Sequence, residues 1–306
     1  MMKCSRKSFN KIKSSSIDRI LLGFIYTFLG IFTLVILYPL IYVVSCSFSS
    51  AESLVNGQVF LLPVKFSLQG YQAVFANAQV WTGYSNSILY TVVGTAIGVI
   101  VTIMGAFVLS RKEFPLRRFI TVLFMITMFF GGGLLPTYIL IKTLGMYNTI
   151  WAIVLPGAFS VWLAIIGRTF IQSTIPEELY EATCLDGGSY TQYFFRVILP
   201  LSKPIMAVLA LNFAVGQWNS YFNALIFLKD SSKFPLQIVL RDIIIANQFD
   251  INSISKTDAK TMMDKAYLSE LLKYSLIIVS SAPLLVIYPF IQKYFIKGIM
   301  IGSIKG

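Results

Sequence analysis

The chain has 306 residues, of which 56% are hydrophobic and only 12% charged, with a formal net charge of +12 and no histidine. A soluble domain ordinarily carries about 25% charged residues, so too little polar surface exists here to coat a water-soluble globule, and lipid is the expected solvent. The positive balance does not signal nucleic acid, because the basic residues flank apolar segments and act as topological anchors.

Residues 1–19 form a basic arm with six Lys/Arg. The apolar run that follows is too long for a signal-peptide core and reads as an uncleaved first span, about 20–47. A span needs about 20 apolar residues. Charge-free windows, among them Thr143–Gly167 and Tyr274–Gln292, place five more spans at about 85–109, 119–141, 148–172, 204–228 and 274–296. Residues 48–84 and 229–273 are the two external loops, and 299–306 is a short tail. The expected class is therefore an all-α integral membrane protein with a six-helix domain over 20–298. In the second span Thr91, Gly94, Gly98, Thr102 and Gly105 lie on one stripe, the pattern of close helix packing. The run Gly131–Gly133 predicts a close approach or a bent backbone.

Charge orients the spans. The arm, the loop RKEFPLRR, residues 168–203 and the tail carry sixteen Lys/Arg between them. The opposite loops carry Lys65, Lys142, and seven basic residues that six acids balance within 229–273. The positive-inside rule then puts both termini and residues 174–200 in the cytoplasm.

Four of the thirteen acids, Glu177, Glu178, Glu181 and Asp186, gather in the stretch EELYEATCLDGG. Thr174 followed by Glu177 matches a capping pattern, and Gly187-Gly188 is a helix stop. A second short helix from about Ser189 should end near Leu199-Pro200. Ala182, Thr183 and Gly187 leave a shallow strip over which a partner could close. Glu177 and Glu181 are like charges at i,i+4, which is unfavourable in isolation and points to a basic partner. The other reading is a solvated interfacial helix.

Glu181-Ala182-Thr183, then Gly187, then Val197-x-Leu199-Pro200 resembles the EAA loop of binding-protein-dependent ABC importer permeases. That pattern is E-A-A, three residues, G, nine residues, then I-x-L-P; Thr183 and Val197 are its two departures here. Phe129–Phe159, Gln217–Phe227 and the ending Gln292–Gly298 are similar to the carbohydrate-uptake branch, of the second maltose-permease type. The Gly131–Gly133 run resembles a sub-branch for complex oligosaccharides and polysaccharide fragments. The resemblance implies a type I permease fold in a bacterial cell membrane and a heterodimer with a sister permease. It also implies two cytoplasmic ATPase subunits that hold ATP and Mg, and an extracellular solute-binding protein, expected on loop 229–273. It implies that Glu181 pairs with an arginine of the ATPase, with Glu177, Glu178, Ala182, Thr183, Asp186 and Gly187 around the contact. No cofactor is expected on this chain, which has no phosphate-binding Gly-x-x-x-x-Gly-Lys-Ser/Thr loop.

In the fifth span Asn212, Gly216, Asn219 and Asn223 fall within about 60° of one another. Intramembrane amides face partners or water. With Trp218 and Tyr221 nearby they suit a hydroxyl-rich, uncharged sugar. Interhelical hydrogen bonding explains the amides equally well. Three rivals stand beside the sugar reading. An ion-coupled transporter wants buried ionisable groups or an inverted repeat, and a membrane enzyme wants grouped carboxylates or histidines. A permease for peptides, amino acids or ions would share the loop.

Overall fold

The computed structural model describes the backbone over residues 15–253 and 259–302, and side chains over 15–246 and 267–289. The basic arm up to residue 14, residues 254–258 of the expected external loop and the tail from 303 lie outside the described residues, as do the side chains of the Gln292–Gly298 ending.

The described residues form three long helices, one near each end and one at Ala78–Ser110, with shorter pieces between. Helix α1 spans Ser16–Ser47, followed by α2 (Ala51–Val55), α3 (Gln69–Ala76) and α4 (Ala78–Ser110). Next come α5 (Arg117–Phe129), α6 (Leu134–Thr143), α7 (Trp151–Val154), α8 (Val161–Thr174) and α9 (Glu178–Leu185). Helix α10 (Tyr190–Tyr193) runs through a π turn at Phe194–Ile198 into α11 (Leu199–Leu201), and then α12 (Lys203–Trp218) and α13 (Phe222–Phe227) follow. The last two are α14 (Leu236–Ser253) and α15 (Ala259–Gly302).

Among the described residues three stretches are long and apolar enough to cross a membrane unaided: Ser16–Ser47, Ala78–Ser110 and Tyr267–Pro289. The other expected spans are broken. Helices α5 and α6 meet at 113°, across Gly131–Gly133. Gly133 sits at φ +83°, which only glycine adopts cheaply, while a side chain at Gly131 or Gly132 would meet nothing within 4 Å. The run therefore bends the chain rather than admitting a neighbour. The fourth expected span divides at 155–160, around Pro156, into α7 and α8. The fifth divides at 219–221 into α12 and α13. Helix α4 starts earlier than the hydropathy predicts, because the Asn77 side chain accepts from the Gln79 amide at 2.9 Å and caps it.

Helix α4 is the packing centre, with α8, α12 and α14 laid against it. The small-residue stripe is what lets them approach. A Cβ at Gly98 would lie 2.7 Å from the Phe213 ring, and one at Gly94 equally close to the Gln217 side chain. Ala106 and Gly167 make the same kind of contact between α4 and α8, at 3.0 Å. Around this seam Ile103, Ala106, Phe107, Leu163, Ile198 and Leu209 form one buried cluster. Because lipid tails are as apolar as these side chains, the cluster is held by close van der Waals packing rather than by exclusion of water. A second cluster joins Val80, Trp218, Leu236, Leu240 and Leu276.

The 229–273 segment departs from the reading of a simple external loop. Leu236, Ile238, Val239 and Leu240 of α14 are buried, packed against α4 and α15. The Leu236 amide donates to Ser87 Oγ at 2.8 Å. Asn86 Nδ2 donates to the Ser232 and Phe234 carbonyls, and Tyr90 Oη donates to that of Lys233. Helix α1 is the opposite case: it is apolar on every side, and its buried residues are only Ser45, Cys46 and Ser47.

Candidate functional site

The 174–200 stretch is a helical hairpin, built differently from the capping expectation. Helix α8 runs through Thr174, so Thr174 is already inside a helix and cannot cap the next one. Glu177 takes the N-cap position of α9 without a side-chain cap bond. The glycine stop is a full Schellman closure. The Gly187 amide donates to the Cys184 carbonyl at 3.0 Å, and the Gly188 amide to that of Thr183 at 2.8 Å. The two glycines do separate jobs. Gly187 has φ +72°, and a Cβ on Gly188 would sit 2.6 Å from the Thr183 methyl. Ser189 and Gln192 then form a capping box that starts α10, with Ser189 N donating to Gln192 Oε1 at 3.0 Å.

The chain does not stop at Pro200 as the sequence suggests. Proline clashes with the carbonyl four residues back in an α-helix, but the π turn just before it shifts the register. There the Leu199 amide reaches back to the Phe194 carbonyl. The helix survives the proline and bends 78° into α12.

Arg111, one residue past α4, holds this hairpin. Its guanidinium lies 3.9 Å from the Tyr180 ring centroid and 5.6 Å from that of Tyr193. It pairs with Glu113 at 2.9 Å and reaches Glu177 at 3.9 Å. Lys112 Nζ is 2.7 Å from Glu177. Thus the basic partner expected for Glu177 comes from this chain. Tyr180 Oη donates to Tyr190 Oη at 2.8 Å, and this bond, with a further one to Cys184, raises the Tyr180 pKa. Burial pushes Glu113 up, but bonds from its own backbone amide and from Arg111 outweigh it, and its pKa is lowered. Neither the arginine nor the tyrosine cluster is legible from the motif.

Glu178, Glu181 and Asp186 form no ion pair with a described residue and are exposed, as is Ala182. Leu185, at the tip of α9, is 89% exposed. Thr183 turns inward and its hydroxyl donates to the Leu179 carbonyl at 2.7 Å.

Of the residues expected in the fifth span, Asn212, Gly216 and Asn223 line one open cavity of about 350 Å³. Ser160, Trp162, Gln217 and Ser220 join them, and no lining residue carries a charge. Gln217 Oε1 is shielded from water with no hydrogen-bond partner among the described residues. Asn212 and Asn219 donate to the carbonyls of Val208 and Val215, four residues back on their own helix. That leaves their amide oxygens available. Trp218 is elsewhere: it is 4% exposed, and its indole donates to the Ser280 carbonyl at 3.0 Å. Tyr221 packs beside α7 and α13 with Arg241 5.9 Å from its ring. Among the described residues no group of His, Cys, Asp or Glu could hold a metal ion.

A polar hairpin at one end and an uncharged cavity within the bundle suit a transporter, and sequence comparison decides which. Residues 94–301 match the family of binding-protein-dependent transport system inner membrane components. The chain belongs to that family. The permease is 37% identical to Protein LplC of Bacillus subtilis (strain 168), over 91% of this chain and 92% of that one. It is 36% identical to the polygalacturonan/rhamnogalacturonan transport system permease protein YtcP of the same organism, over 92% and 97%. Among solved structures it resembles a bacterial ABC transporter involved in the import of the acidic polysaccharide alginate. The TM-score is 0.82 at 33% identity, covering 93% of the permease and all of that chain. The permease is thus a membrane subunit of an ABC importer, in a family of transport components rather than enzymes.

Proposed function

We propose that this permease carries an oligosaccharide, delivered by an extracellular solute-binding protein, across a bacterial cell membrane. In this reading it works beside a sister permease, and two separate ATPase subunits bind ATP and Mg. Both termini and α9 are cytoplasmic. The observation that carries the reading is α9 itself, a short helix closed by Gly187-Gly188, braced by Arg111, and presenting unpaired Glu178, Glu181 and Asp186 with an exposed Leu185. A basic cleft on an ATPase would satisfy all three acids and cover the leucine. Closure of the ATPase dimer would then pull α9, and through Arg111 the end of α4.

The cavity supports a sugar cargo. Amides and hydroxyls at Asn212, Gln217, Ser220, Asn223 and Ser160 match the donors and acceptors of a glycan, and Trp162 offers a stacking face. The polysaccharides in the names of YtcP and of the alginate importer favour a glycan fragment over a peptide, an amino acid or an ion. Loop 229–235 and the adjoining part of α14 are the surface left for the binding protein.

The test is Glu181→Lys in the assembled importer. Charge reversal is expected to abolish oligosaccharide uptake, with partial rescue by an acidic substitution of the ATPase arginine that faces it. Unchanged uptake and unchanged ATPase coupling would sink the docking assignment. Uptake of peptides or ions, with no glycan uptake, would sink the cargo.

A further inference from the structure

At the 174–200 end, an open cleft of about 630 Å³ lies between the α4–α5 turn, α8 and the approach to α9. Its charged lining is Arg111, Lys112, Arg117 and Arg168 against Glu177 and Glu178. Two of these cations are spoken for. Arg111 is held by Glu113 and Tyr180, and Lys112 by Glu177 at 2.7 Å. Arg117 and Arg168 form no ion pair with a described residue. Arg168 Nε is moreover shielded from water and has no hydrogen-bond acceptor among the described residues. A shielded guanidinium N–H without an acceptor is unfavourable, so Arg168 has donor capacity that an anion would satisfy. Glu178 is the one carboxylate in the lining without an ion pair, so two guanidinium groups stand against it.

We propose that this cleft binds a phosphoryl group on Arg168 and Arg117. A guanidinium presents a rigid fork of donors that matches phosphate oxygens two at a time. Two such forks suit a tetrahedral oxyanion better than a planar carboxylate. Two sources share this chemistry: the phosphodiester of an anionic phospholipid and soluble phosphate. The site adjoins α9, whose Glu178 lies in its lining, but it is separate from Glu181 and from the amide-lined cavity, and it stands whichever solute is carried.

The experiment uses the full-length chain assembled with its partner subunits in nanodiscs, without ATP or cargo, so its outcome is independent of the transport reading. Retained lipid is counted by native mass spectrometry in discs containing equal phosphatidylglycerol and phosphatidylcholine. Inorganic phosphate is titrated by calorimetry in discs of phosphatidylcholine alone. Selective retention of phosphatidylglycerol identifies the lipid source, and saturable phosphate binding identifies the soluble one. In either case Arg168→Gln is expected to weaken binding about tenfold or more, as loss of a charge-assisted contact does. Arg168→Lys should restore part of it. Arg117→Gln, in a half-exposed first turn, carries the same expectation should Arg168→Gln fail to assemble. Absence of both lipid preference and phosphate binding, or binding that ignores both substitutions, overturns the proposal.

Discussion

Arg111 covers the Tyr180 ring at 3.9 Å, so the last turn of α4 and the hairpin of 174–200 are joined by one side chain. That side chain is only 12% exposed, where stacking of a cation on an aromatic face is worth more than in open water. Arg111→Lys keeps the charge and loses both the planar stack and the fork to Glu113. It is expected to destabilise the hairpin by about 1–2 kcal/mol. In the intact importer this should leave ATP hydrolysis running while uptake per ATP falls, measured by parallel hydrolysis and uptake assays in liposomes.

The two glycines of the hairpin separate by mechanism. Gly187→Ala forces an alanine into φ +72° and should cost about 1 kcal/mol. Gly188→Ala drives a methyl into Thr183. The paired variant Gly188→Ala/Thr183→Ala should recover only part of the loss, because the Thr183 carbonyl, 2.9 Å from the new Cβ, remains. Thermal unfolding of the three variants tests this ordering.

The α4–α12 seam is predicted to be intolerant of bulk. Phe213 is 7% exposed and cannot move aside cheaply in a packed interior. Gly98→Val should lower stability by about 1–3 kcal/mol, and Gly98→Val/Phe213→Ala should regain some of it. Equal stability of Gly98→Val and the parent would show that the two helices are not held at this distance.

Asp230 gives an acid dependence at the opposite end. Its pKa is lowered, first by the Asn148 amide and then by Lys233, whose nitrogens lie at 2.7 and 3.1 Å. A carboxylate depressed by folding adds stability above its unfolded pKa and loses it as pH falls through the lower, folded value. The turn joining Asn148 to 229–233 should therefore hold at neutral pH and loosen only below the usual carboxylate range of about pH 4. Hydrogen exchange of the Lys229 and Asp230 amides, which both donate to Asn148 Oδ1, reads this directly. The effect is expected to be small for so exposed a group, and Asp230→Asn should remove the pH dependence altogether.

What the sequence made legible was local. The Glu181 to Gly187 spacing and the double-glycine stop are properties of a few neighbouring residues, and they recur in the structure. Glu177's partner was hidden because Lys112 lies 65 residues away. Thr174 misled as a cap because nothing in a four-residue pattern says that the preceding helix has not yet ended. Trp218 was near the amides in sequence but about 120° round the helix from Asn212, so the helical period alone assigns it to the packed side. Hydropathy also overlooks broken spans: Gly131–Gly133 and 219–221 are uncharged, so a window average passes through them while the backbone turns. Gln217, whose Oε1 is shielded without a partner among the described residues, opened the stretch Gln217–Phe227 but nothing local marked it as a cavity residue.

Helix α4 is gripped near both ends, by Arg111 against Tyr180 at one and by Asn86, Ser87 and Tyr90 against 232–236 at the other. Its 33 residues contain no proline and extend about 50 Å. Such a rod has no joint in which to absorb a push. A displacement imposed at the hairpin arrives at the far face undiminished, so the two ends of the bundle shift in step. The give has to come from the broken elements beside it, at Gly131–Gly133 and at 219–221, which work as knuckles around a fixed shaft.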